Sequence, residues 1–166
     1  MKRNLMMANA IDVMNTNLVT AHPGEPVALV CRTMTECNVG AVLLVENESL
    51  VGIFTERDLL NNVIAPGLNP KSVSVGSVAT ANPKVVKPTQ SITECVKILR
   101  EQGFRHLPVV EEGKPVGIIT TQDFLHFTPD ENEQVGDAFK RSQQTDEEGF
   151  DPYEYLGSGG VGLPRC

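Results

Sequence analysis

Two threonine and aspartate pairs are the residues of this sequence best placed to do chemistry. Thr55 and Asp58 lie in "VGIFTERDLL", and Thr120 and Asp123 lie in "VGIITTQDFL", 65 residues further on. Each threonine follows an apolar strand and precedes a short amphipathic segment, "ERDLLNNVI" or "TQDFLHF", so it stands at a helix N-cap with an acid three residues on. That spacing serves two ends. As structure, the pair satisfies backbone amides left free at the start of a helix. As chemistry, a helix start gathers N–H groups and positive potential suited to phosphate, and a carboxylate one turn in can accept hydrogen bonds from vicinal hydroxyls. The spacing alone does not choose between them. Its occurrence in both copies favours a ligand, although shared ancestry would also keep it.

The elements that must position these pairs repeat as well. Residue n lies on residue n + 65 without a gap from Val13 to Leu60, matching Pro23 with Pro88, Glu36 with Glu101, and Val51, Gly52 and Ile53 with Val116, Gly117 and Ile118. A unit of about 60 residues buries too little surface to be stable alone, so two half-units sharing one core across a pseudo-twofold axis are expected. Each copy reads as strand, helix, strand, strand, helix. Ser91 and Glu94 stand at capping-box spacing, Ile92, Cys95, Val96 and Leu99 share a helical face, and Gly103 stops that helix. Val27, Val30, Cys31 and Met34 keep the same spacing in the first copy, where Asn38 replaces Gly103 as the left-handed stop. Two apolar runs follow each helix, joined around Asn47 and Glu48 or Glu112 and Gly113 as a hairpin would be. The fold class is therefore α/β (α+β), with repeats over residues 8–66 and 73–128.

Composition bounds the function. The 166 residues carry a net charge of −7, but residues 1–128 hold 12 acids and 11 bases, whereas residues 129–166 hold 9 and 3. With a nearly neutral body and no basic stripe or aromatic platform, nucleic acid is not expected as a partner. No apolar run approaches the roughly 20 residues that cross a bilayer, and the first residues lack the pattern of a signal peptide, so a cytoplasmic protein without a membrane partner is expected. Cys31, Cys37, Cys95 and Cys166 form no Cys-x-x-Cys pair; Cys31 and Cys95 read as small buried apolar residues. His22 and His126 have no partner at metal spacing, and neither a metal nor a catalytic cofactor is expected. No nucleophile and base order, metal cluster or phosphate loop marks an enzyme; "GSGGVG" lacks the Lys-Ser/Thr of a phosphate loop. The acidic, glycine-containing tail 129–166 is expected to be partly disordered, with "DPYEYLG" as a weak docking signal.

The gapless copies, the Gly-x-x-Thr-x-x-Asp ends (Gly52, Thr55, Asp58; Gly117, Thr120, Asp123) and the stretch "GFRHLPVV" resemble a tandem pair of CBS domains, a Bateman module. The resemblance covers residues 8–128 and leaves the tail aside. It implies two packed β-α-β-β-α repeats with two clefts that bind adenosine-containing ligands such as AMP, ADP, ATP or S-adenosylmethionine, in a sensor rather than a catalyst. It also implies a homodimer and a separately encoded regulated protein, for which Leu59, Leu60, Phe124 and Leu125 are candidate exposed apolar residues that would serve equally as core.

Carried onto this sequence, the resemblance assigns Thr55, Arg57, Asp58, Asn82, Lys84, Arg105 and His106 to one cleft. It assigns Asn17, Val19, Gly40, Ala41, His106, Thr120, Gln122 and Asp123 to the other. Arg105 and His106 replace Gly40 and Ala41 between the copies, and Gln122 replaces Arg57, so cations gather around Asp58. A polyphosphate would favour that cleft, since Arg forks match phosphate oxygens. Each residue also has a plainer reading: Arg57 and Lys84 as solvated charges, Asn17 and Asn82 as turn residues, Gly40 and Ala41 as small for close packing. An alternative to the sensor is a structural dimerisation module whose threonine and aspartate pairs are only caps.

Overall fold

The computed structural model describes residues 8–124, which belong to one compact unit. The expectations for Leu125, His126, Cys166 and the tail lie outside the described residues. Two helices form where the apolar spacing places them. Helix α2 (Val27–Cys37) buries Val27, Val30 and Met34 and ends at Asn38, whose φ of 51° is left-handed. Helix α4 (Ile92–Gln102) buries Ile92, Cys95 and Leu99 and ends at Gly103 with φ 63°. The Ser91 hydroxyl accepts the Glu94 N–H at 3.4 Å and opens α4.

Each helix leads into an antiparallel hairpin. Strand β2 (Ala41–Glu46) pairs with β3 (Ser49–Thr55), and β5 (His106–Glu111) pairs with β6 (Lys114–Thr120). Both turns place two consecutive residues at positive φ, Asn47 and Glu48 in one and Glu112 and Gly113 in the other, which matches the twist of the strands they join. The register slips once in each hairpin, between Leu44 and Val45 and between Val109 and Val110, at equivalent places. In the first half, β1 (Thr20–Ala21) lies parallel to β2 and β4 (Thr80–Ala81) lies antiparallel to β3, giving the order β1-β2-β3-β4. In the second half single bridges stand at the same positions, Val86 to Val109 and Asn15 to Ile118.

These pairings carry the chain across the molecule. Short helix α1 (Ala10–Val13) does not cover the half that follows it; Ala8 and Ala10 join the core of Val86, Ile92, Cys95, Leu99, Leu107, Val109, Ile119 and Phe124, with Val13 packed against it. Val75 and Val78, their counterparts 65 residues on, are buried in the first-half core with Val27, Val30, Val42 and Phe54. The hydrogen bonds match one for one. Ala10 N–H donates to Gln90 O at 2.8 Å and Ile92 N–H to Ala8 O at 3.0 Å, while Val75 N–H donates to Glu25 O at 2.8 Å and Val27 N–H to Val73 O at 3.0 Å. Each half is thus completed by the leading segment of the other. Ala41, Leu43 and Ile53, with Leu18, Leu50 and Ile118 against them, form a third cluster drawing on both halves.

The closing helices depart from the expectation of ordinary helix. Helix α3 (Glu56–Asp58) runs directly into a π-helical turn, Leu59–Ile64. That wider winding goes with two demands on one short segment, since Val63 is fully buried while the Asn62 side-chain amide donates to Val78 O at 2.8 Å. In the second half the described residues form a single 3-10 turn, Thr121–Phe124. Phe124 is core, whereas Leu60 is 60% exposed and Leu59 packs against the first core. Cys95 is buried, and burial with the neighbouring Glu94 charge pushes its thiol up to about 11. Cys31 is only half-buried. No helix among the described residues is long and apolar enough to cross a membrane.

Candidate functional site

The end of β3 sets the first anchor. Thr55 donates its N–H and its hydroxyl to Asp58 Oδ2 at 2.9 and 2.7 Å, and its Oγ1 accepts the Asp58 N–H at 3.3 Å. The structural reading of the pair is therefore realised as a reciprocal cap. It does not consume the carboxylate. Oδ1 accepts the hydroxyl of Thr80, on β4, at 3.4 Å and the Asn62 side-chain amide at 3.5 Å.

A cleft of about 390 Å³ opens beside this cap, lined by Gly40, Ile53 and residues 55–58 and 60 from the first copy of the repeat, and by Thr80, Pro83, Lys84 and residues 103–106 from the second. Six of the seven residues assigned to the Asp58 cleft line it: Thr55, Arg57, Asp58, Lys84, Arg105 and His106. Asn82 does not. Its backbone is left-handed, with φ 47°, and its N–H donates to Val51 O at 3.2 Å, so it turns the chain out of β4 toward Pro83 and Lys84.

Gly40, assigned to the other cleft, lines this one. Ala41 is paired with Thr55 and Glu56 N–H donates to Gly40 O at 3.2 Å, which draws the start of β2 to the Asp58 side. A Cβ on Gly40 would lie 3.6 Å from the Glu56 carboxylate and 3.7 Å from His106 Cε1. His106 is half-buried at this junction. Burial, and then the Arg105 charge, pull its imidazole below its ordinary range against the opposing pull of Glu56 and Asp123.

Of the second set, His106, Thr120, Gln122 and Asp123 lie at the end of β6. Thr120 donates its N–H and hydroxyl to Asp123 Oδ2 at 2.6 and 2.8 Å, repeating the two bonds that Thr55 donates to Asp58. His106 pairs with Thr120 in the sheet, and Thr121 N–H donates to Arg105 O at 3.1 Å. Asn17 N–H donates to Asn15 Oδ1 at 2.8 Å as a turn residue does, while Asn15 is bridged to Ile118. Val19 O accepts Leu43 N–H at 3.0 Å, Ala41 is buried, and Gln122 is exposed. Arg105 and Lys84 thus reach the Asp58 cleft from the second copy, and the second set contains no lysine or arginine.

Sequence reasoning passed over Glu56, Leu60, Pro83 and Phe104, all in the lining. Phe104 immediately precedes Arg105 in the quoted "GFRHLPVV", so its position was open to view; nothing in the spacing distinguished it from core.

A protein of Methanopyrus kandleri is 32% identical over 135 residues, covering 80% of this chain and 69% of its own. The crystal structure of a conserved protein from Pyrococcus horikoshii superposes with a TM-score of 0.68 at 30% identity, covering 74% of this chain and 92% of that one. CBSX2 in complex with AMP superposes at 0.64 and 24% identity over 72% and 95%, a likeness of fold. The family model for the CBS domain matches residues 10–65 and again 75–130, and the chain belongs to that family, carrying the domain twice.

Proposed function

We propose that the protein is a regulatory sensor of adenosine-containing ligands, AMP, ADP or ATP with S-adenosylmethionine as a further candidate, and that the Asp58 cleft is its working site. One observation carries the reading: Arg57, Lys84 and Arg105 converge with the Thr55 and Asp58 cap on a single cleft of about 390 Å³ whose walls come from both halves. In this reading Asp58 Oδ1 exchanges the long Thr80 contact for ribose hydroxyls, and the cations meet phosphate. The AMP complex of CBSX2, a protein of the same fold, supports the ligand class. Residues 8–66 and 73–128 act as the two repeats, and a nucleotide between their walls would bias one arrangement over another through unequal affinity for the two. Regulation of a second protein in the cytoplasm, rather than catalysis, is the role assigned.

Self-association belongs to the same proposal. Leu60 and Ile64, 60% and 53% exposed and four residues apart on the closing helix of the first half, offer an apolar strip for a second copy; light scattering that returns a monomer would remove this part. The alternative, a structural dimerisation module, is favoured by the reciprocal cap at Thr55 and by the Thr120 N–H and hydroxyl bonds to Asp123. Calorimetric titration with AMP, ADP, ATP and S-adenosylmethionine separates the two when wild type is run beside Asp58→Asn. Saturable binding that Asp58→Asn weakens supports the sensor, and no heat with any of the four gives the structural role precedence.

A further inference from the structure

The Asp58 carboxylate is held at both oxygens. Oδ2 takes the N–H and hydroxyl of Thr55, and Oδ1 takes two longer contacts, from the Thr80 hydroxyl at 3.4 Å and from Asn62 Nδ2 at 3.5 Å. Asn62 lies outside the cleft lining, four residues beyond Asp58 in the π-helical turn Leu59–Ile64. Its amide nitrogen is anchored elsewhere, donating to Val78 O at 2.8 Å, and Val78 is buried in the first-half core. A carbonyl and a carboxylate both accept hydrogen bonds only, so the NH2 end of the side chain, with its two N–H groups, is the end that faces them. One N–H makes a short bond to a fixed carbonyl, and the other presents positive charge to Oδ1. Helical turns of this wider winding recur at functional sites.

The sequence of the second copy does not repeat this support. Asp123 accepts the same two bonds from Thr120, but the residue four beyond it is Phe127, which carries no amide, and Asn15, the counterpart of Thr80, gives its Oδ1 to Asn17 N–H. Resting on the nucleotide reading of the cleft, we propose that Asn62 is a positioning residue for it: anchored on Val78, its amide keeps Asp58 Oδ1 turned to meet the ligand. When Oδ1 exchanges the Thr80 hydroxyl for a ligand hydroxyl, the Asn62 contact stays.

The test is a double-mutant cycle in the full chain, read by calorimetric titration with AMP, ADP, ATP and S-adenosylmethionine, over wild type, Asn62→Leu, Asp58→Asn and the two combined. Asn62→Leu keeps the volume and removes both N–H groups, and it should weaken binding about three- to tenfold. In the Asp58→Asn background the same change should cost less than about twofold, because the carboxylate it acts through is gone. Urea melts should meanwhile show a similar stability loss from Asn62→Leu in both backgrounds, since the bond to Val78 is broken in each. Should that chain not fold, Asn62→Asp, which keeps the shape and turns the donor into an acceptor, takes its place in the cycle with the same pattern expected. An equal loss of affinity in the two backgrounds, or no loss beside wild-type Asp58, would overturn the positioning role and leave the nucleotide reading in place. Failure of wild type to bind any of the four ligands would overturn both.

Discussion

At the end of β3 Asp58 accepts the N–H and hydroxyl of Thr55, and at the end of β6 Asp123 accepts the same two groups from Thr120. Around these matching pairs the charged residues have changed. Gly40 corresponds to Arg105, Ala41 to His106, Glu56 to Thr121 and Arg57 to Gln122. What the halves share is what builds them: the caps, the hairpin turns, the register slips and the exchanged leading segments. What separates them decides which ligand each edge could hold. Backbone amides impose the cap wherever a strand ends in a helix, so both copies retain it; a solvent-facing side chain answers to no such demand and is free to diverge.

The widest gap between the halves should open on replacing the aspartates. Asp58→Ala and Asp123→Ala should each lose about 1 kcal/mol of stability with the cap. Only Asp58→Ala should in addition weaken adenine-nucleotide binding on the order of tenfold or more, since hydrogen bonds to a charged acceptor contribute about 1.5–3 kcal/mol. Denaturant melts beside calorimetry would read both, and the reverse ranking would move the working site to Asp123.

A second comparison concerns the leading segments. A Cβ on Gly76 would meet Pro23 Cβ at 2.7 Å and Pro23 O at 2.9 Å, whereas its counterpart Ile11 is 57% exposed. Gly76→Ala should cost about 1–3 kcal/mol in urea unfolding, and Ile11→Ala less than about 0.5 kcal/mol. Equal costs would mean that the close approach at Gly76 does not set the two seats apart.

Arg57→Gln makes the first half resemble the second at one position. ATP affinity should fall about threefold and AMP affinity less, and the difference should shrink as salt is raised, as expected of an accessible charge. A salt-independent loss would point to packing instead.

The smallest effect is a pH dependence. His106, held neutral in the fold by burial and by Arg105, protonates more readily when the chain unfolds. Its contribution to stability is therefore complete above its ordinary value of about 6.5 and is lost as pH falls through the lower folded value. His106→Gln should flatten the stability curve below about pH 6.5 relative to wild type, leaving higher pH unaffected. A variant whose curve stays parallel to wild type would assign the acid sensitivity elsewhere.

Much of this architecture could be read from the residues because local chemistry dictates it. Asn38 and Gly103 stop helices since they tolerate left-handed backbone, and the two turn pairs close hairpins for the same reason. The capping contacts of Asp58 were equally legible. The exchange of α1 with residues 75–78 was not, because hydrophobic spacing says that a segment is buried without saying against which half. The π-helical turn at Leu59–Ile64 escaped as well, since its apolar pattern is one an ordinary helix also satisfies. In the cleft, cationic residues stand out by type, whereas Phe104, 40% exposed in the lining, has the same sequence signature as a core residue.

The crossed seating of the leading segments also orders events during synthesis. As the chain leaves the ribosome, the first half cannot close its core until residues 73–79 emerge, and α1, made before both hairpins, has nowhere to dock until β6 is complete. Helix α1 is therefore made before the hairpin it docks on, and through that interval Ala8, Ala10 and Val13 remain open to whatever else binds a nascent chain.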